Sequence, residues 1–126
     1  MSFASDIYYV MTNDPSINAL VNGGIHYEIL RDNFNLTKKW IDYNFRRLEQ
    51  VDCIGTKDVY TNYEVTTTII TQNSLDCVSI SDLLVTYLNG AEYGGIIDIK
   101  LEDDGHVVEQ EKNIFKNTLL FTAIYS

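Results

Sequence analysis

Two histidines, two cysteines and an acidic triplet are the side chains whose types could do chemistry in this chain. His26 and His106 stand eighty positions apart with no HxxH or HExxH spacing, so they do not form a metal pair. Surface or strand-edge histidines are the plainer reading. Cys53 follows Asp52 and precedes a glycine-containing loop. Cys77 falls near the start of a predicted helix, where the exposed N–H groups could lower a thiol pKa; a small buried cysteine is the simpler alternative. Glu102-Asp103-Asp104-Gly105 imitates part of a calcium loop but lacks the later glutamate and the flanking helices, which leaves a solvated hairpin tip. Gly23-Gly24 and Gly94-Gly95 lack the strand–GxGxxG–helix setting and a following Lys-Ser/Thr, so they do not read as phosphate cradles. Nothing marks two of the 18 acidic residues as sharing a cleft for acid–base work. No catalytic residue, metal ligand or cofactor is assigned, and the chain is not expected to be an enzyme.

The elements that would carry these residues are clearer than the chemistry. Phe3, Ile7, Val10 and Met11 recur at helical spacing over residues 2–12. Asp14 then caps a short helix by accepting from a free backbone N–H. Pro15 fits its first position because the missing N–H would have no partner there. Gly23-Gly24 ends that helix and turns the chain into a strand in which Ile25, Tyr27 and Ile29 alternate with His26, Glu28 and Leu30. Residues 31–36 read as a polar loop, 38–48 as a second strand, and 49–57 as a turn or loop.

Asp58 to Gln72 carries the longest β-signal. Val59, Thr61, Tyr63, Val65, Thr67 and Ile69 share one face, and Tyr60, Asn62, Glu64, Thr66, Thr68 and Ile70 the other. The thirteen residues of 59–71 at about 3.3 Å each span roughly 43 Å. A domain of this length has a diameter of about 36 Å. Either the 38–72 hairpin projects as an arm, or it twists within one sheet. Asn73 or Ser74 caps a helix to about Leu88, with Leu75, Val78, Leu83, Leu84, Tyr87 and Leu88 as its apolar face and Asn89-Gly90 as its stop. A strand over 95–102 leads to a tight turn at Asp104-Gly105. Residues Val107 to Asn113 are polar and less regular. Ile114 to Tyr125 is apolar on both faces, as suits a central strand. The order α, α, β, β, β, α, β, β describes one α+β domain over 1–126: a mostly antiparallel sheet, helices packed on one face, and a long projecting β-hairpin.

The composition fits that picture. Of the 126 residues, 45% are hydrophobic and 21% charged, as in globular domains. The apolar runs are far shorter than the roughly 20 residues that cross a bilayer, so no membrane association is expected. The N-terminus has no basic stretch followed by an apolar core, so no secretory signal is read there. Two cysteines are too few for a disulfide framework, which makes a reduced, cytosolic setting the default. A net charge of −9 opposes a nucleic-acid grip, since that rests on clustered Lys and Arg. It suits either a plain solvated surface or one past which polyanions slide.

The chain resembles the tail-terminator (tail-completion) family of long-tailed bacteriophages. The similarity lies in the N-terminal helix followed by Asp14-Pro15-Ser16-Ile17-Asn18-Ala19-Leu20-Val21-Asn22-Gly23-Gly24-Ile25, and in the Trp- and Tyr-containing strand near 38–45. It continues through the long strand 59–71 feeding the helix 74–88, the acidic segment, and the ending Leu120-Phe121-Thr122-Ala123-Ile124-Tyr125. The resemblance implies a non-enzymatic virion protein, assembled in the host cytoplasm, that forms a homo-oligomeric, typically hexameric ring at the head-proximal end of the tail. Its implied partners are further copies of itself, the tail tube protein and a head-completion or connector protein. Genomic DNA would pass through the ring without specific binding. Alternative readings are another head–tail connector or tail-tube subunit, or a small acidic binding or inhibitor module. Interface preferences and the projecting-hairpin argument select Trp40, Tyr43, Phe45, Tyr60 and Tyr63 as oligomer contacts, with Arg46 and Arg47 as charge partners for acidic neighbours.

Overall fold

The computed structural model describes residues 2–27, 38–52 and 59–126. Helix α1 (Phe3–Thr12) begins at Ser2, whose hydroxyl accepts from the Ser5 N–H while Ser5 reaches back to the Ser2 backbone, closing a capping box. Phe3, Ile7, Val10 and Met11 are all buried, as their spacing predicts. Asp14 caps α2 (Pro15–Leu20) by accepting from the Ile17 N–H at 3.3 Å. Strand β1 (Gly24–Tyr27) then runs parallel to β2 (Trp40–Asp52). Strand β3 (Val59–Thr71) returns antiparallel to β2, in register from Trp40↔Ile70 to Asp52↔Val59 with one bulge at Arg47/Glu49. The second strand is thus longer than its apolar core suggests and absorbs residues 49–52, which sequence assigns to a loop. Cys53 and the rest of that loop, like the polar segment 31–36, lie outside the described residues.

Helix α3 (Ser74–Leu88) is capped by Asn73, whose Oδ1 accepts from the Leu75 N–H at 2.8 Å. Its buried face is Cys77, Ile80, Ser81, Leu84 and Leu88. This corrects the face expected from the leucines: Leu75, Val78 and Leu83 are exposed. The small residues Cys77 and Ser81 let the helix lie close to the sheet, and hydrophobicity alone does not weigh them. Strands β4 (Ile96–Asp104), β5 (Val108–Glu111) and β6 (Ile114–Tyr125) complete a sheet of order β1-β2-β3-β6-β4, with β5 also paired to β6.

Sequence missed β5, and Asp104-Gly105 does not close a hairpin. Both β4 and β5 run antiparallel to the same side of β6, Asp104 opposite Leu119 and Val108 opposite Lys116, so 105–107 interrupt a single edge. The hairpin turn is Lys112-Asn113, between Glu111 and Ile114, with Asn113 at φ 63°. Asparagine supplies the left-handed residue there in place of glycine.

The β2–β3 hairpin is long, thirteen residues on each side. β6 flanks β3 from Thr61 to Thr71, so only Val59 and Tyr60, with their β2 partners Asp52 and Val51, extend past it. On β6, Asn117, Leu119, Phe121 and Ala123 are buried while the residues between them are not. The same alternation on β2 and β3 buries Ile41, Tyr43, Val65, Thr67 and Ile69 beneath the helices. All of the described helices therefore lie on one face of the sheet. Its opposite face carries Asn44, Arg46, Glu64, Thr66, Thr68, Thr118, Leu120, Thr122 and Ile124 with no described element over it.

Candidate assembly surfaces

An aromatic layer forms where α1 meets β2, β3 and β6. The Phe3 ring lies flat on Tyr63, with centroids 3.9 Å apart and planes within 3°. Phe45 and Tyr125 present their edges to Phe3 at 5.2 and 5.6 Å. Tyr27 packs on Tyr43 and Phe45 from the neighbouring strand. Tyr43 is buried, and its phenol is pushed up to about 12, first by desolvation and then by the nearby Tyr8 and Tyr27 hydroxyls.

Trp40 is turned to the other face and is only 8% exposed. A Cβ on Gly23 would sit 2.7 Å from the indole ring and from the Lys39 carbonyl, so glycine is required for the tryptophan to seat. His26 lies against the same indole, with centroids 4.8 Å apart, and its Nε2 bonds the Gly23 carbonyl at 2.8 Å.

Of the seven side chains selected from sequence as oligomer contacts, Trp40 and Tyr43 are thus interior, and Phe45 and Tyr63 pack onto the core. Aromatic type alone does not separate an interface anchor from a core side chain. Arg46, Arg47 and Tyr60 keep surface to offer. Arg47 flanks a shallow groove of about 550 Å³ whose apolar floor is Phe3, Phe45 and Tyr63, with Ser2 and Ala4 at the α1 N-terminus; the Arg46 side chain points to the opposite sheet face. Arg46 lies opposite Glu64 and binds it at 2.9 Å, which raises its pKa through that hydrogen bond. Arg47 is exposed, and no ion pair is recorded for it among the described residues. Tyr60 joins Asn62, Ile97 and Ile124 around a small, mainly apolar depression on the open sheet face.

The sequence-level candidates for chemistry are dispersed. His26 is on β1 and His106 lies in the interruption at the far edge, beside a depression lined by Asp103, Asp104, Val108 and Lys116. Cys77 is fully buried, and desolvation pushes its thiol up to about 11, opposite to what a helix N-terminus alone would do. Among the described residues, no group of three or more His, Cys, Asp or Glu side chains is gathered as for a metal ion. No helix among them is long and apolar enough to cross a membrane. Sequence reasoning did not single out Asp6, which is 2% exposed and accepts from the Gly95 N–H at 3.0 Å and the Tyr125 hydroxyl at 3.1 Å.

The fold and its surfaces define a small α+β domain with one sheet face that no described element covers, a groove flanked by Arg47, and an acidic edge. No family model and no curated protein matches the chain. Among solved structures it is similar to a chain from the virion of a native gene transfer agent particle. The two are 12% identical, with a TM-score of 0.73 over 98% of this chain and 94% of that one. At that identity, the likeness is one of fold.

Proposed function

We propose that this chain is a structural virion protein that forms an oligomeric ring at the head-proximal end of a phage tail tube, stops tube growth, and presents a surface for head–tail joining. The observation carrying the reading is the fold shared along nearly the whole chain with a chain of a virion particle. The surfaces suit assembly rather than turnover. The sheet face opposite the described helices mixes Thr, Leu and Ile with an Arg46–Glu64 pair, as in interfaces that are apolar at the centre and polar at the rim.

The mechanism is geometric. Heterologous contacts close a ring, and one ring face matches the tube while the other does not repeat it. Tail tube protein, a head-completion protein and further copies of the chain are the partners, and the role is non-enzymatic. A net charge of −9 lets DNA slide through the ring without adhesion.

The test combines native mass spectrometry with polymerisation of the purified tail tube protein of the same virion. A discrete ring that shortens the tubes is the expected result. Tubes of unrestricted length in the presence of the ring would overturn the terminating role. Open tubes formed by the chain itself would make it a tube subunit instead.

A further inference from the structure

The charge of this domain is unevenly placed, and the two ends of that asymmetry lie at diagonal corners of the sheet. At one corner, Arg47 flanks the groove floored by Phe3, Phe45 and Tyr63, while the Arg46 guanidinium lies on the opposite face, paired with Glu64. The N-terminal end of the ten-residue α1 opens onto the same groove through Ser2 and Ala4, adding the positive end of its dipole. At the other corner, the edge formed by the end of β4 and by β5 exposes Glu102, Asp103, Asp104 and Glu109 around Val108, which is 50% exposed.

The register gives the separation. Arg47 lies opposite Tyr63, which lies opposite Ala123 on β6, whereas Val108 lies opposite Lys116, seven residues away along the same strand. Seven residues and three strand spacings put the corners roughly 27 Å apart. That is about three Debye lengths at physiological ionic strength, so the corners do not attract one another within one copy.

We infer that the groove at Arg47 receives the acidic 102–109 edge of a second copy of this chain, with Val108 against the aromatic floor. This rests on the ring reading and names the surfaces that would make it. The argument is complementarity: a cationic, apolar groove and an anionic edge with an exposed valine are presented by the same molecule. Because the two patches are different and diagonally opposed, the contact is heterologous. Such contacts propagate from copy to copy and close only as a ring. The carboxylates and the break at 105–107 also blunt the outer edge against backbone pairing with arbitrary strands, leaving side-chain recognition as its mode of contact.

Charge reversal at each corner tests this in the full-length chain, with association read by native mass spectrometry and sedimentation. Arg47→Glu, and separately Asp103→Lys/Asp104→Lys/Glu109→Lys, should each weaken self-association at least tenfold. A one-to-one mixture of the two reversed chains should recover it, because each then meets the opposite charge on its neighbour. Arg47→Ala is the companion variant should Arg47→Glu melt early, and both leave the Arg46–Glu64 pair on the opposite face intact. A reversed chain that assembles like the parent, or a mixture that fails to recover, overturns the corner assignment while leaving the ring itself standing. A parent chain that stays monomeric at every concentration overturns both. A ring that forms through these corners but does not stop tube growth leaves this inference intact and overturns the terminating role.

Discussion

The hydroxyl of Tyr125 donates to Asp6 Oδ2 at 3.1 Å, joining the last strand to the first helix. The same carboxylate oxygen accepts from the Gly95 N–H at 3.0 Å, so Asp6 holds three parts of the chain together. Burial raises the Tyr125 pKa, and the bond to Asp6 raises it further. Gly94, at φ +57°, passes so close that a Cβ there would lie 2.6 Å from the Asp6 carboxyl carbon. Asp6→Ala strands both donors and should cost about 1–3 kcal/mol in urea unfolding. Gly94→Ala should also destabilise the fold, through strain and displacement of Asp6. A fold as stable as the parent in both variants would remove Asp6 as a structural tie.

Trp40 acts inside the subunit. Buried against Gly23 and His26, it should cost about 3–5 kcal/mol of folding stability when truncated to alanine, as large aromatic core residues do. Any loss of assembly would follow from unfolding. Denaturant melts of Trp40→Ala, set beside its association at a temperature where it remains folded, separate the two. A folded variant with parental stability but lost association would return Trp40 to the interface.

The chain's own pattern made much of this fold readable. The Phe3/Ile7/Val10/Met11 stripe, the Asp14-Pro15 cap, the long β-signal over 59–71 and the doubly apolar last strand all report local physics, and each is found in place. The failures share a cause, which is that tertiary contacts overrode local signals. Cys77 and Ser81, small and weakly apolar, mark the buried face of α3 because they allow close packing. Asp104-Gly105 looks like a turn but only interrupts an edge, because β6 is long enough to pair with strands on both sides of it. The surfaces were least legible. Whether Trp40, Tyr43, Phe45 and Tyr63 face a neighbour or their own core depends on α1 and Gly23, far from them in sequence or chemically silent.

Alkaline pH should loosen the fold through two buried groups. The Tyr43 phenol is raised from 10.0 to about 12 and the Cys77 thiol from 9.0 to about 11, each mainly by desolvation of the charged form. Both folded-state values lie above the unfolded ones, so their contribution is fully present below about pH 9. It is lost as pH rises, through Cys77 between about 9 and 11 and through Tyr43 between about 10 and 12. Denaturant midpoints measured from pH 8 to 11.5 should fall, and Cys77→Ala should flatten the lower part of that fall. A midpoint independent of pH over this range would contradict the burial assigned to both groups.

The Lys112-Asn113 turn offers a change in the opposite direction. Asn113 holds φ 63°, where a side chain is tolerated at a cost and glycine is not penalised. Its side chain is exposed, so replacing it removes no core packing. Asn113→Gly should therefore leave stability unchanged or raise it by up to about 1 kcal/mol, the relief of the left-handed conformation being partly offset by the greater freedom of the unfolded chain. Asn113→Val should lower stability, because a β-branched residue is strained at positive φ. Thermal unfolding of the two variants tests the turn directly. If valine were accepted as readily as glycine, the hairpin would have to close elsewhere, and the β5–β6 register of Val108 opposite Lys116 would be the first pairing to lose its basis.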